Sequence, residues 1–414
     1  MSCSNRLLVL GADAGILGFA AKFQPDIFLV ERKDKFKPEQ MQWCTECLIA
    51  DYRSPESIFP LVAAAHAVKP FAQVYSPTEL GLIPAAKLNE LLGISATSLI
   101  TATRLRDKSM MRARLQQNNL SIVKHAVGAS KQDLADFSAS VAAPIIVKPI
   151  DSSGSFGVYK LNYPHPDGAV EKLWDELQAC GLKEFLMEEF LLGKEISVES
   201  FSFNGRHIIL AFTEKFIADN FVEIGHVVPT AVDSQTCRAV SILISRFLDV
   251  MEVKDGPCHT EVMLTPCGAY IIESHNRTGG DNIPQLVEMA VGVQLFELAF
   301  GWPLGRVAAL ETAPEIRAAG AVRFFWPAPG RVLSIRGIEE AKNMPGIEEL
   351  YLRVGVGDEV PVVRRSADRV GFITARAQTP LQALRRCMAA MEQVKIETTG
   401  DAQPATGKSL KFAS

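Results

Sequence analysis

Two glutamates, Glu261 and Glu273, stand on short apolar runs at residues 259–264 and 270–273, separated by Thr265, Pro266, Cys267 and Gly268. The break reads as a β-hairpin turn. If its loop is Pro266, Cys267 and Gly268, with Gly268 left-handed, Thr265 faces Ala269 and Glu261 falls opposite Glu273. Like charges directly opposite on a sheet destabilise it. A divalent cation removes that penalty, and carboxylate oxygens are the hard ligands that Mg²⁺ takes, with Mn²⁺ as its substitute. The plainer alternative is a pair of solvated edge-strand glutamates. Behind Glu273 comes a polar run, residues 274–281, that brings Arg277 within reach of the same place.

A second chemical segment begins at Lys148, the last residue of an apolar run over 144–148. Ser152, Ser153, Gly154, Ser155 and Gly157 follow, and a further strand pattern starts at Val158. Gly154 and Gly157 let backbone N–H groups approach an anion, and the serines add donors, so the loop suits a flap over phosphates. It is not a Walker loop, because G-K-[ST] and the following helix are missing. Lys108 opens a basic amphipathic stretch over 108–115. Further on, Glu188, Glu189, Phe190 and Leu191 end another strand pattern and could offer backbone groups to a purine edge. Glu195 could accept both ribose hydroxyls.

These groups need scaffolding. With 414 residues, 48% hydrophobic and 22% charged, the chain is long enough for two or three domains with their own cores. A net charge of −4 gives no electrostatic reason for a nucleic-acid or membrane partner. No apolar run approaches the ~20 residues of a membrane span, and eight scattered cysteines form no disulfide framework, which suits the cytoplasm. Cys44 and Cys47 make one C-x-x-C pair without a second pair at zinc spacing. Residues 7–10, 27–30, 47–50 and 72–75 read as strands alternating with helical patterns, hence a parallel sheet. Gly11, Gly15 and Gly18 make a tight strand-to-helix turn; the spacing is not the dinucleotide fingerprint, although Glu31 stands where a ribose-binding acid would. Residues 101–141 read as helical. Asn204-Gly205 signals a type I′ hairpin. Residues 283–300 carry a helical apolar stripe, read as core.

The order of the parts, a lysine, a strand-Lys-Gly loop, the run M-E-E-F-L-x-G-x-E and two carboxylates twelve residues apart, resembles the ATP-grasp superfamily of carboxylate–amine ligases over about residues 100–310. The resemblance implies an α/β chain, α+β in its centre, in three parts. These are an N-terminal parallel α/β domain (1–98), the ATP-grasp domain (99–312) and a small C-terminal α+β domain (313–397), before a disordered tail (398–414). It implies that Lys108 and Lys148 contact ATP phosphates, that 188–191 form the adenine hinge, that Glu195 holds the ribose and that Glu261 and Glu273 bind Mg²⁺. His275 stands where many members have a metal-ligating Asn, and Asn276 follows it.

Residues 221–229, with Arg277, Thr278, Gly279, Gly280 and Asp281, look more narrowly like the L-amino acid ligases, which join two amino acids into a dipeptide. By that likeness Glu223 holds the ammonium of the first amino acid, and His226 and Arg277 lie near the transferred phosphoryl group. Gly279 and Gly280 offer backbone donors to a carboxylate, and Asp281 lines the substrate pocket, favouring a polar or cationic side chain. The expected reaction uses ATP and Mg²⁺, passes through an acyl phosphate and releases ADP and phosphate. Glu223 or the substrate phosphate serves as base. Small-molecule amino acids are the expected partners, with a homodimer open. The alternatives are a ligase or carboxylase for a non-amino acid carboxylate, a non-catalytic nucleotide binder, and a nicotinamide oxidoreductase resting on the 11–18 turn.

Overall fold

Short runs buried on both faces make a parallel sheet at the start of the chain. β1 (Arg6–Leu10), β2 (Asp26–Glu31), β3 (Glu46–Ile49) and β4 (Gln73–Tyr75) lie in the order β3-β2-β1-β4, all parallel. The computed structural model describes residues 4–400 apart from Ser153 and Ser155. The expectations for those two serines, and for the tail from residue 401, lie outside the described residues. The turn after β1 is a strand-to-helix turn. Gly11 has φ +64° and the Tyr52 ring fills the space a Cβ would need. Glu31 spends its carboxylate on the N–H groups of Ala12 and Arg32 and on Gln40.

A smaller antiparallel sheet follows, in the order β5-β8-β6-β7. Its strands are β5 (His125–Gly128), β6 (Ile145–Lys148), β7 (Tyr159–Leu161) and β8 (Phe185–Glu189). β5 corrects the helical reading of 101–141. Four residues ending in glycine, between the helices Lys108–Gln117 and Lys131–Val141, pair with β8 and leave helical phase.

The largest sheet has eight strands in the order β13-β12-β9-β10-β11-β14-β18-β16. They are β9 (Lys194–Phe203), β10 (Arg206–Ile217), β11 (Glu223–Val228), β12 (Gly256–Thr265), β13 (Gly268–His275), β14 (Ala319–Phe324), β16 (Ile347–Leu352) and β18 (Gly371–Ala377). β15 (Gly330–Arg336), β17 (Glu359–Val360) and β19 (Lys395–Thr398) form a small third antiparallel group. Thr398, assigned to the tail from sequence, closes β19 opposite Val332. β11 pairs with β14, so one sheet runs across the boundary expected near 313. Asn204 and Gly205 both have positive φ, as a type I′ turn requires.

Alternation along β9 decides which groups reach the centre. Ile196 and Val198 face the helix Ser234–Val250, while Ser197 and Glu199 turn to the opposite face. The stripe over 283–300 is two helices, Ile283–Val291 and Leu295–Gly301, broken at Gly292 and packed in the main core. Among the described residues no single helix is long and apolar enough to cross a membrane.

Candidate active site

The eight-stranded sheet presents its polar face to a large cleft, and the small antiparallel sheet forms the facing wall. The hairpin register places Glu261 opposite Glu273, but by a different route from the one counted along the sequence. The loop is only Pro266 and Cys267, since Thr265 pairs with Gly268. A bulge between Glu261 and Val262 then restores the pairing. Ile272 is the extra residue. It allows Ile271 to join the core beside Val262 while Glu273 turns into the cleft.

Both acids are mostly buried and each has a lysine. Lys108 Nζ lies 3.0 Å from Glu273 Oε2, and Lys215 binds Glu261 Oε1. Burial disfavours these charges, but the lysines prevail and both carboxyls sit below their ordinary range. His275 places Nε2 3.1 Å from Glu273 Oε1 and Nδ1 3.0 Å from Glu79, so it buttresses Glu273. Asn276 turns away and donates to Pro257 O at 3.0 Å. Among the described residues no three His, Cys, Asp or Glu side chains are grouped to hold a metal alone. A cation here would take two carboxylates from the protein and its other oxygens from elsewhere. Mg²⁺, which keeps water and phosphate ligands, fits that donor set.

On the facing wall Lys148, the last residue of β6, is buried and lies 2.7 Å from Glu188 Oε2. Arg112 binds the other oxygen of Glu188. Burial would raise the Glu188 carboxyl, but the two cations hold it at about 2. Glu188 therefore departs from its expected hinge role. Its backbone is paired on both sides, with His125 and with Ile146, and its side chain anchors Lys148. The N–H groups of Glu189 and Phe190 donate to Lys124 O and Pro144 O, which leaves Leu191 as the first residue beyond those bonds. Ser152 and Gly154 line the cleft, and Lys108 Nζ reaches Ser152 O at 2.5 Å. Gly157 lies off the lining; its φ of +68° and a Cβ position 3.1 Å from Pro149 explain the glycine.

At the centre of the floor Lys215 is ringed by acids, 2.6 Å from Glu195 and 3.7 Å from Glu223, as well as by Glu261. Burial and the neighbouring acids keep Glu195 above the usual carboxylate range despite the lysine. Those acids in turn hold Lys215 well above its ordinary value against burial.

The far end is closed by other parts of the chain. Arg277 Nε lies 2.7 Å from Glu79 Oε2, beside the parallel sheet. Glu223 accepts from Ser366 Oγ at 2.5 Å and its backbone carbonyl from Arg369 at 3.0 Å. His226 is buried and lies 3.1 Å from Asp281 Oδ2. Arg369 binds both oxygens of Asp281 and stacks 3.6 Å from the Phe324 ring centre. The Asp281 charge, expected to select a cationic side chain, is thus already compensated from within. Gly280 borders the cleft with open space around it, whereas Gly279 lies against His259 and Ile283.

Sequence reading missed Lys215, Glu79, Arg112, His259, Ser366 and Arg369. Lys215 had a signal, since it shares strand phase with Ala211 and Thr213 in an apolar run. Glu79 follows the carboxyl end of β4, where open α/β sheets gather functional residues. Arg369 and Ser366 had none.

Residues 141–285 match the family model of the ATP-grasp domain, and 323–399 match L-amino acid ligase C-terminal domain 2. An alanine–anticapsin ligase of Bacillus subtilis is 22% identical over 301 residues, 66% of this chain and 63% of that protein. This chain thus spans under two thirds of that relative's length. An L-arginine-specific L-amino acid ligase of Bacillus subtilis is 23% identical, over 78% of this chain and 80% of that one. The crystal structure of an L-amino acid ligase from Bacillus licheniformis superposes with a TM-score of 0.84 at 18% identity, covering 97% of this chain and 100% of that one.

Proposed function

The chain joins an ATP-grasp domain to the second C-terminal domain of L-amino acid ligases, and from that premise we propose that it is an ATP- and Mg²⁺-dependent ligase. In this reading it couples an amino acid carboxylate to the amine of a second amino acid, with an acyl phosphate between the two steps. The observation that carries it is the layout of one cleft. Two lysines and a carboxylate pair stand at one end, and a carboxylate, a histidine and an arginine at the other.

Lys108 and Lys148 are held by carboxylates, ready to exchange those partners for phosphate oxygens. Glu261 and Glu273 are the residues that would hold Mg²⁺, which supplies positive charge against the phosphoryl oxygens. Leu191 and its neighbours offer backbone to the base, and Glu195 faces where a ribose would lie. Arg277, fixed by Glu79, offsets charge on the reacting carboxylate as it approaches phosphate. The Glu223 carboxylate, 3.7 Å from Lys215, can accept an ammonium. Ser152 and Gly154 line the cleft, and closing them over bound phosphate would limit water, which would hydrolyse a mixed anhydride. Either Glu223 or the phosphate takes the proton of the attacking amine. The reading carries with it small-molecule substrates and a cytoplasmic setting.

The test is phosphate release from ATP and Mg²⁺ with the twenty amino acids added singly and in pairs, alongside mass spectrometry. The expected result is release that depends on particular pairs, with a product equal to their summed mass less water. Release driven by a single amino acid without a condensed product, or none with any pair, would overturn the dipeptide reading.

A further inference from the structure

Beneath the metal acids lies a buried ionic pair that the reaction as described does not use. Glu199, on β9, is 1% exposed, and both its oxygens lie 3.0 Å from His259 Nδ1. Ser197 Oγ donates to Glu199 at 2.7 Å and Thr213 Oγ1 at 3.2 Å. On the other side of the ring, His259 Nε2 lies 3.5 Å from Glu261 Oε1. The three residues share one face of adjacent strands, with His259 opposite Glu199 and Glu261 opposite Ser197 in register. Gly279 closes the assembly from above. A Cβ there would stand 2.9 Å from His259 Nδ1, so only glycine lets the 277–281 loop pass over the ring.

A carboxylate accepts hydrogen bonds and donates none, so the Nδ1 facing Glu199 carries a proton. The ring thus bridges the two acids, with Nδ1 3.0 Å from both Glu199 oxygens and Nε2 3.5 Å from Glu261 Oε1. A buried Glu–His pair is costly to desolvate, and holding a neighbouring functional group in place is a reason to keep one. The effect on Glu261 is directional. Oε1 takes both Lys215 and Nε2 of His259, while Oε2 has no hydrogen-bond partner among the described residues. One oxygen is fixed from behind and the other is left for the cleft. Partners behind a metal ligand set its orientation and basicity in this way.

We propose that Glu199 and His259 are positioning residues for the cation site, acting through Glu261. Glu199 fixes the ring, the ring fixes Oε1, and the chain presents Oε2 to Mg²⁺. This rests on the reading of Glu261 and Glu273 as the Mg²⁺ acids.

The experiment is Mn²⁺ binding to the full chain in the presence of ADP, followed by electron paramagnetic resonance. The variants are Glu199→Gln and His259→Gln, with metal-free nucleotide binding measured in parallel. The expected result is a loss of Mn²⁺ affinity of roughly tenfold in each, with metal-free nucleotide affinity unchanged. The Mg²⁺ concentration for half-maximal turnover should rise in step, more than kcat falls. Ser197→Ala, which deletes one hydrogen bond to Glu199, should give a smaller shift the same way, and it serves if the first two variants do not fold. Unchanged Mn²⁺ affinity in a folded variant would overturn the proposal and leave the metal reading standing. Equal losses of Mn²⁺ and metal-free nucleotide binding would overturn it as mere structural damage. Absence of Mn²⁺ binding in the unaltered chain would overturn the metal reading itself, and this proposal with it.

Discussion

The two ends of the cleft are built differently. At the end proposed for nucleotide the charged groups pair with one another: Lys148 with Glu188, Lys108 with Glu273 and Lys215 with Glu195 and Glu261. Every one of them faces the cleft. At the end proposed for amino acid the cleft residues are clamped from outside, Arg277 by Glu79 and Asp281 by Arg369, partners 198 and 88 positions away. The first kind of pair can be exchanged for a charged ligand at little net cost. The second fixes the shape of a pocket. One end is arranged to trade its ion pairs and the other to keep them.

Removing an exchangeable charge should have the largest effect. Glu273→Gln keeps the shape of the side chain but halves the carboxylate pair. ATP turnover should fall by about a thousandfold, because charge stabilisation of phosphoryl transfer is lost. Circular dichroism should stay native. Turnover within a few-fold of the unaltered chain would remove Glu273 from the metal site.

Clamps should behave otherwise. Arg369→Met strands a partly buried carboxylate and should lower folding stability by about 3 kcal/mol in urea titrations. In the folded fraction the KM for amino acid should rise while that for ATP stays put. Asp281→Asn in the same chain, which removes the stranded charge and tolerates the left-handed backbone there, should recover most of the stability. A variant that shifts both KM values alike would show that the two ends are one unit.

That division also explains what could be read in advance. The groups at the first end come in chain order, Lys108 at the start of a helix and Lys148, Glu195, Glu261 and Glu273 on strands, so they were legible from local patterns and their sequence. Even there the hairpin reached its register through a two-residue loop and a bulge at Ile272, a compensation invisible to counting. β5 was lost because four residues carry too little periodicity against two flanking helices. The clamps were illegible for another reason. Nothing near Asp281 announces Arg369, because their meeting depends on β11 pairing with β14. The same pairing carries the big sheet through the expected domain boundary.

A subtler contrast is pH. Arg112 and Lys148, working against burial, hold the Glu188 carboxyl at about 2, below its ordinary 4.5. A carboxyl lowered in the folded state stabilises above its unfolded value, and that contribution is lost as pH falls through the folded one. Glu188 should therefore contribute about 3 kcal/mol at neutral pH, disappearing between about 4.5 and 2. In Glu188→Gln the slope of stability against pH should flatten across that window. An identical slope in the variant would mean that the pair does not hold its charge.

The smallest effects come from two adjacent glycines. A methyl group on Gly279 would stand 2.9 Å from His259 and 3.1 Å from Ile283, so Gly279→Ala must displace packed atoms. It should cost about 1–3 kcal/mol. A methyl group on Gly280 meets nothing within 4 Å and projects beside the cleft. Gly280→Ala should change stability by less than about 0.5 kcal/mol. If the cleft beside it receives an amino acid, the same variant should raise the amino acid KM alone. Thermal melting and steady-state kinetics on the pair separate the outcomes. Equal destabilisation would show that Gly280 is part of the clamp, whereas an unmoved KM in Gly280→Ala would place the substrate elsewhere in the cleft.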